Sequence, residues 1–291
     1  MSWNFAYDSP NAINNLLQEE SLAMNKQFGQ NFLLPQAIRK RIVDALEPSA
    51  GLTIWEIGPG LGALTVLLLE KKCQLTAFEI DKGFCSILRE KAFADETGFR
   101  LVEGDFLKTW EAVYGSGGVP HRICGNLPYN VGSVCIARLL ERQCLPDIMV
   151  FTVQKEVAER LTSRDGDKNR STLTLLADID YETRLLFTIG GGAFYPSPDV
   201  TSAAVGMYRR ATPLVDAALR PVYLSLVKDA FSHRRKTMKN NLLQGEIGNT
   251  LGKDGVDAIL ANSGVNPQSR AEALSFEELK ALAVAAFNRS R

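Results

Sequence analysis

The chain has 291 residues and carries 33 Lys+Arg against 33 Asp+Glu, so its formal net charge is zero. Its hydrophobic content of 45% is ordinary for a globular protein, and its apolar stretches fall short of the roughly 20 residues that cross a bilayer. The five cysteines have no C-x-x-C spacing, and the N-terminus lacks a signal-peptide pattern. These features predict a cytoplasmic protein with reduced thiols, no metal site and no membrane segment.

The first 25 residues are polar and weakly patterned, and they predict a flexible N-terminal arm. Beyond them, short apolar runs alternate with amphipathic stretches, as in a mostly parallel sheet with helices on both faces. The predicted strands are 52–57, 74–79, 100–102, 122–125, 148–153, 185–189 and 203–208. The predicted helices among them are 35–46, 61–72, 82–94 and 134–142.

After residue 210 the alternation stops, and the segments 221–243, 253–262 and 275–288 all have helical periodicity. The pattern predicts a doubly wound, seven-stranded Rossmann-like α/β domain over residues 26–210. A smaller helical domain is predicted over residues 211–291. The last two predicted strands form a pair that closes the sheet with an antiparallel strand.

Glycines are concentrated in Glu56–Gly62, between the first strand of the predicted domain and the next helix. They let the backbone turn tightly and approach a ligand, and open α/β sheets bind ligands beyond the carboxyl ends of their strands. The spacing is G-x-G-x-G, which differs from the dinucleotide pattern. Gly58 and Gly60 are therefore candidate cofactor contacts, although a plain strand-to-helix turn would have the same residues.

Carboxylates follow the next two predicted strands. Glu79 ends one of them and can accept hydrogen bonds from both ribose hydroxyls of a nucleoside cofactor, with Asp81 as its nearby competitor. Asp105 ends the other, where it can accept from an adenine amino group while Phe106 packs against the ring. Each acid alone is compatible with a solvated loop, but successive strand ends favour one shared site.

Asn126-Leu-Pro-Tyr129 follows the fourth strand of the predicted domain. The exocyclic amine of adenine is a poor nucleophile, because its lone pair is delocalised into the ring. The Asn126 side-chain oxygen and the Leu127 carbonyl can accept hydrogen bonds from its two N–H groups. Pro128 fixes φ and helps to direct that carbonyl, and Tyr129 can stack on the base. Orientation and aimed dipoles then supply the catalysis without a strong general base.

This order of motifs resembles the ribosomal RNA adenine dimethyltransferase family. The glycine turn extended to Thr65, Glu79, Gly104-Asp105 and the Asn126 tetrapeptide carry the resemblance. Three further segments support it, namely Phe28–Leu33, Phe194–Val200 and the basic stretch Ala230–Leu242. The matches run from about residue 26 to about residue 282.

The resemblance implies S-adenosylmethionine as the cofactor, held by Asn31, Leu33, Gly58, Glu79, Asp105 and Asn126. It also implies that Phe194 stacks on the adenine face opposite Tyr129. Bacterial members dimethylate two adjacent adenines in a hairpin near the 3′ end of 16S rRNA. The implied partner is therefore the small ribosomal subunit or its precursor, and we expect a monomer that acts in subunit biogenesis.

Eight Lys/Arg and two Asp lie between Arg209 and Lys239, so this stretch is basic in a neutral chain. If it is one helix, Arg235 and Lys239 share a face. Together with Arg234 and Lys236 they are candidate contacts to rRNA phosphates. The alternative is a solvated cationic face.

Two departures from the family pattern concern substrate fit. The arm before Phe28 offers only Lys26 where the family is rich in Lys and Arg, and the loop 167–174 lacks the usual Tyr-Gly pair. Three rival functions also remain open. They are a macrolide-resistance methyltransferase of large-subunit rRNA, a catalytically silent nucleic-acid-binding factor, and an Asn-Pro-Pro-Tyr type glutamine methyltransferase acting on proteins.

Overall fold

The structure is a computed structural model that describes residues 3–24 and 29–289. The chain divides into two compact units. The first comprises Met1–Ala158 and Thr183–Arg209, and the second comprises Glu159–Glu182 and Arg210–Arg291. None of the helices in the described part of the chain has the length and apolar composition that a bilayer-spanning segment needs.

A seven-stranded sheet forms the centre of the first unit, which confirms the predicted fold class. Its strands are β2 (Thr53–Ile57), β3 (Gln74–Glu79), β4 (Phe99–Glu103), β5 (Arg122–Asn126), β6 (Ile148–Gln154), β7 (Tyr181–Ile189) and β9 (Ser202–Arg209). They are ordered β4-β3-β2-β5-β6-β9-β7. The first five strands in this order pair in parallel, and β9 pairs antiparallel with β6. The chain winds outward in opposite directions from β2 and β5, so the topological switch point lies between these two strands.

The helices of this unit follow the strands at most of the predicted places. They are α1 (Pro10–Glu19), α2 (Gln36–Asp44), α3 (Thr65–Glu70), α4 (Lys82–Ile87), α5 (Phe106–Gly117) and α6 (Gly132–Glu141). The next helix, α7 (Lys155–Leu161), spans the division of the chain after Ala158. A π-helical turn over Leu88–Ala92 continues α4. The sequence analysis missed α5 and α7.

The predicted flexible arm over residues 1–25 is wrong for its described part. Ser9 caps α1 by accepting a hydrogen bond from the Ala12 amide, and Pro10 occupies the first helical position, where its missing N–H is no loss. Ile13, Leu16 and Leu17 are buried on one face of the helix. Their i, i+3, i+4 spacing is the signal that would have predicted an amphipathic helix.

A second, two-stranded sheet pairs β1 (Phe32–Leu33) antiparallel with β8 (Phe194–Tyr195). The sequence analysis predicted neither strand. Each is two residues long, too short for alternation to be visible in the sequence. This pairing joins the start of the first unit to its end.

The second unit is helical. Its helices are α8 (Thr172–Asp180), α9 (Arg220–Ala230), α10 (Met238–Gln244), α11 (Glu246–Ser263) and α12 (Phe276–Arg289). The predicted boundary at residue 210 omitted residues 159–182 from this unit. Leu175 and Ile179 of α8 are fully buried in its hydrophobic core, and Asp180 forms a buried two-point ion pair with Arg220.

Candidate active site

A cavity of about 410 Å³ opens at the carboxyl ends of β2, β3, β4 and β5. Its walls are the segments 29–33, 56–60, 78–80 and 104–107, together with Ala63, Leu64, Phe84, Asn126, Pro128, Asn130, Val131 and Cys135. The switch point between β2 and β5 explains its place, because the chain leaves these strands in opposite directions and opens a crevice between them. All eight of the predicted cofactor residues line this cavity.

The glycine turn after β2 forms one wall. Gly58 and Gly60 have φ of +69° and +58°, a region that favours glycine. A Cβ on Gly58 would have no heavy atom within 4 Å, so this backbone faces open space that a ligand can enter. A Cβ on Gly62 would instead lie 2.7 Å from the Phe93 ring, which shows that the last glycine serves packing.

Glu79 lies at the end of β3 and is held from both sides. One carboxylate oxygen accepts from the Gly60 amide at 2.9 Å, and the other accepts from the Asp81 amide at 2.9 Å. Burial raises its pKa to about 7, against the opposing effect of these amides. The carboxylate is therefore positioned next to the glycine turn before any ligand arrives.

Asp81, the alternative acceptor for the ribose hydroxyls, has both carboxylate oxygens occupied by contacts within the protein. Its Oδ1 caps α4 by accepting from the amides of Gly83 and Phe84 at 2.9 and 3.2 Å. Its Oδ2 accepts from the Gln30 side chain at 2.7 Å. The residue thus ties the segment before β1 to the start of α4.

Glu56 is a buried acid on the same cavity that the sequence analysis quoted only as part of the glycine motif. It is 1% exposed and accepts a 2.6 Å hydrogen bond from the Thr65 hydroxyl. Burial raises its pKa to about 7, and the nearby charge of Glu79 acts in the same direction. Its place in an apolar strand, two residues before the first glycine, was the available signal.

Asp105 and Phe106 line the third part of the cavity. Asp105 caps α5, with its Oδ1 accepting from the Leu107 amide at 3.0 Å. The Phe106 ring is 6% exposed and packs edge-on against Phe78, with its centroid 5.1 Å away. The exposed apolar wall is instead Ile80, 41% exposed, which the sequence analysis missed although it directly follows Glu79.

Asn126 lies at the end of β5, where its amide is oriented by the segment before β1. The Nδ2 donates to the Asn31 carbonyl at 2.8 Å, which leaves Oδ1 as the acceptor end. Gly29 allows this approach, since a Cβ there would lie 3.1 Å from that of Pro128. Leu33 is buried beside these residues in β1. Lys26 and Phe28 of the predicted motif lie outside the described residues.

The rest of the tetrapeptide is fixed from β6 and β9. The Leu127 amide donates to the Thr152 carbonyl at 3.0 Å, and the Leu127 side chain is buried. The Tyr129 hydroxyl shares a short hydrogen bond with that of Ser202, a fully buried residue of β9. Burial raises the pKa of Tyr129, so this hydroxyl stays protonated. The sequence analysis missed Ser202.

The structure buries Phe194, the residue predicted to stack on the adenine, so that role stays a prediction. Its ring is 3% exposed and belongs to the core cluster that also contains Leu33 and Ile189. The antiparallel pairing of β1 with β8 turns Phe194 inward opposite Leu33, so its faces are covered by protein in this conformation.

The basic stretch is not one helix, so the predicted shared face of Arg235 and Lys239 is wrong. The chain leaves α9 at Ala230 and enters α10 at Met238, with Thr237 as the N-cap. The buried Asn241 side chain donates to the carbonyls of Ala230 and His233 and thereby stabilises the break.

The four predicted RNA contacts differ in their surroundings. Arg234 and Arg235 are exposed on the turn 231–237, where Arg234 donates to the Lys168 carbonyl at 2.7 Å. Lys236, on the same turn, donates to the Gln244 side chain. Lys239 lies on α10 and forms an ion pair with Asp257. Of the four, Arg235 is the one that makes no hydrogen bond or ion pair with the described residues.

Comparison with known proteins identifies the family. The family model described as ribosomal RNA adenine dimethylase matches residues 21–284. The chain belongs to this family. A relative named ribosomal RNA small subunit methyltransferase A, from Treponema denticola, is 43% identical over 271 residues, which cover 92% of each chain. The resemblance seen in the motifs is thus confirmed, and the chain is a methyltransferase of this family.

Two solved structures support the fold of this family member. A dimethyladenosine transferase from Plasmodium falciparum superposes with a TM-score of 0.71 at 23% identity, over 84% of this chain and 94% of that one. The 23S rRNA methyltransferase ErmE superposes with a TM-score of 0.65 at 27% identity, over 87% and 98%. The family relationship removes the glutamine methyltransferase rival.

Proposed function

We propose that this chain dimethylates the N6 amine of two adjacent adenosines in a hairpin near the 3′ end of 16S rRNA, with S-adenosylmethionine as methyl donor. The observation that carries the proposal is the orientation of Asn126. Its amide is locked by the Asn31 carbonyl beside a cavity that also holds Glu79 and the glycine turn. A methyl-donor site and an amine acceptor thus meet at one sheet edge.

The residues present fit S-adenosylmethionine. The cavity volume of about 410 Å³ lies within the roughly 300–1,000 Å³ that is common for small-ligand sites. Glu79 presents a fixed carboxylate for the ribose hydroxyls. The open space beside Gly58 lets the ligand approach the protein backbone, and Asp105 and Ile80 both line the cavity. When bound, the cofactor supplies an electrophilic methyl group on sulfonium.

The tetrapeptide then orients the nucleophile. The Asn126 Oδ1 and the Leu127 carbonyl accept the two N–H bonds of the amine, which turns its lone pair toward the methyl group. The same dipoles stabilise the positive charge that develops on nitrogen, so no strong base is required before transfer. The new N–C bond would replace the bond from the methyl carbon to sulfur, with the neutral thioether as leaving group. The amine proton becomes acidic as that N–C bond forms and then leaves to solvent. Tyr129, anchored on Ser202, supplies a flat face for the base.

The proposed substrate is the small ribosomal subunit or its precursor, which the chain meets in the cytoplasm as a monomer during subunit biogenesis. The small-subunit name of the Treponema denticola relative supports this choice. The similarity to ErmE keeps large-subunit rRNA as the second candidate. Exposed Arg235 and its neighbours on the turn 231–237 are proposed to contact rRNA phosphates.

The substrate is tested by offering labelled S-adenosylmethionine with undermethylated small subunits and, in parallel, with large-subunit rRNA. We expect label in the small-subunit RNA alone. Label in the large-subunit RNA would replace the proposed substrate by the second candidate. An absence of transfer to either, with cofactor bound, would indicate a silent binding factor.

A further inference from the structure

The N-terminal segment packs behind the glycine turn. Tyr7 is 7% exposed, and its neighbour across the contact, Leu61 of the turn, is 1% exposed. Both belong to a hydrophobic cluster with the buried residues of α1. The back of the cofactor wall is therefore built by a segment that the motif analysis left unused.

A chain of two hydrogen bonds ends on the glycine turn. The Trp3 indole N–H donates to the Tyr7 hydroxyl at 2.9 Å, and that hydroxyl donates to the Leu61 carbonyl at 3.1 Å. Burial raises the pKa of Tyr7, so its hydroxyl keeps the proton that it donates. The indole occupies the acceptor side of the hydroxyl, which directs its proton to Leu61.

Arg39 holds a second carbonyl of the same turn. Its guanidinium lies over the Tyr7 ring, 5.2 Å from the centroid, and it is 4% exposed. Nη1 donates to the Ala63 carbonyl at 3.4 Å, and Nε donates to the Leu34 carbonyl at 3.3 Å. Tyr7 and Arg39 thus form one stacked pair that anchors both ends of the segment 61–63.

The turn needs such anchors because it contains three glycines at positive φ. Glycine loses more conformational freedom on ordering than any other residue. The Gly60 amide of this turn is also the donor that holds Glu79 at 2.9 Å. A contact that fixes the carbonyls behind the turn therefore also helps to fix the Gly60 amide that donates to the Glu79 carboxylate.

We propose that Tyr7 is a positioning residue for cofactor binding, which it serves by holding the Leu61 carbonyl and with it the glycine turn. The inference rests on the proposed cofactor. Tyr7 itself does not touch the cavity, since the turn lies between them. It acts on affinity through the order of the turn before the ligand arrives.

The test compares Tyr7→Phe with Tyr195→Phe in the full chain. The Tyr195 hydroxyl donates to the Asn14 side chain at 2.8 Å, so the control removes a hydroxyl that holds α1 but not the turn. S-adenosylhomocysteine is titrated by calorimetry, melting temperatures are recorded, and amide exchange is followed in peptides that cover residues 58–66.

Loss of one hydrogen bond predicts a Kd for S-adenosylhomocysteine about three- to tenfold higher in Tyr7→Phe, with faster exchange over 58–66. Tyr195→Phe should bind as the wild type does, even if its melting temperature falls equally. Unchanged affinity and exchange in Tyr7→Phe, or equal weakening in both variants, would overturn the proposal. If the wild type does not bind S-adenosylhomocysteine, the proposed cofactor fails, and exchange over 58–66 alone decides whether Tyr7 holds the turn.

Discussion

Two regions of the molecule hold their polar side chains differently. They are the cofactor wall, which we define as the glycine turn 56–62 with Glu79, and the exposed turn 231–237. In the cofactor wall, buried hydrogen bonds fix a few atoms, such as the Glu79 carboxylate between two backbone amides. On the turn, exposed cations extend from a segment that the Asn241 side chain stabilises by donating to the Ala230 and His233 carbonyls. Substitutions in the first region should therefore have large and specific effects, whereas substitutions in the second should have small effects that depend on salt.

The largest effect is expected for Asn126→Ala. It removes the oriented acceptor, so the amine lone pair is no longer aimed, and single-turnover methyl transfer should fall by about two to three orders of magnitude. The Kd for RNA should stay within a few fold, because the proposed phosphate contacts lie on the turn 231–237. Transfer at the wild-type rate would contradict the role of Asn126.

Glu79→Gln tests whether the Glu79 carboxylate controls how the affinity for S-adenosylhomocysteine depends on pH. Because burial raises the pKa of Glu79 to about 7, the carboxylate is ionised above that pH and loses acceptor capacity as the pH falls through it. Wild-type affinity for S-adenosylhomocysteine should thus decrease from pH 8.5 to pH 6. The Gln variant should bind roughly ten- to a hundredfold more weakly at pH 8.5 and show a flatter profile, since removal of a charged hydrogen-bond partner costs about 1.5–3 kcal/mol. A parallel profile in both proteins would assign the titration to another group, such as Glu56.

Ser202→Ala tests the anchor of the base-stacking ring. Loss of the bond to Tyr129 should raise KM for RNA about three- to tenfold and leave the Kd for S-adenosylhomocysteine unchanged. Tyr129→Phe removes the same bond, so the double variant should be no worse than either single one. Additive effects in this cycle would show that the two hydroxyls act separately.

Charge reversal on the basic segment is expected to have the smallest effect. Arg235→Glu should lower RNA affinity a few fold and reduce the slope of log K against log salt by about one. Lys239→Glu should change the slope less, since Asp257 already compensates that charge. Lys253→Glu, at an exposed position of α11, is the matched control. Equal slopes for Arg235→Glu and this control would leave the turn as a solvated surface.

The sequence predicted best where one local pattern decides the structure. β3 was placed at its observed bounds, 74–79, and Glu79, Asp105 and Asn126 were brought together because the carboxyl ends of parallel strands share an edge. The sequence predicted poorly where a partner distant in the chain decides. Phe194 is turned inward by its pairing with Leu33, about 160 residues earlier, and such pairing leaves no trace in a two-residue strand.

The basic segment shows a third case. Its apolar spacing is helical on both sides of the turn, so periodicity alone predicts one continuous helix. The break depends on the Thr237 cap and on the Asn241 side chain, which both compete with helical hydrogen bonds. The capping residue Thr237 within the stretch was the available signal for a break, but the prediction relied on apolar periodicity.

The central claim is that this site methylates the exocyclic amine of adenine, and the identity of the product nucleoside tests it most directly. RNA methylated by the wild-type protein would be digested to nucleosides and analysed by mass spectrometry against standards. The account predicts N6,N6-dimethyladenosine, with N6-methyladenosine as its precursor. Label on adenine N1 or on a ribose hydroxyl would contradict it, because neither atom presents the two N–H groups from which Asn126 and Leu127 are proposed to accept hydrogen bonds. Label on another base would contradict the choice of adenine.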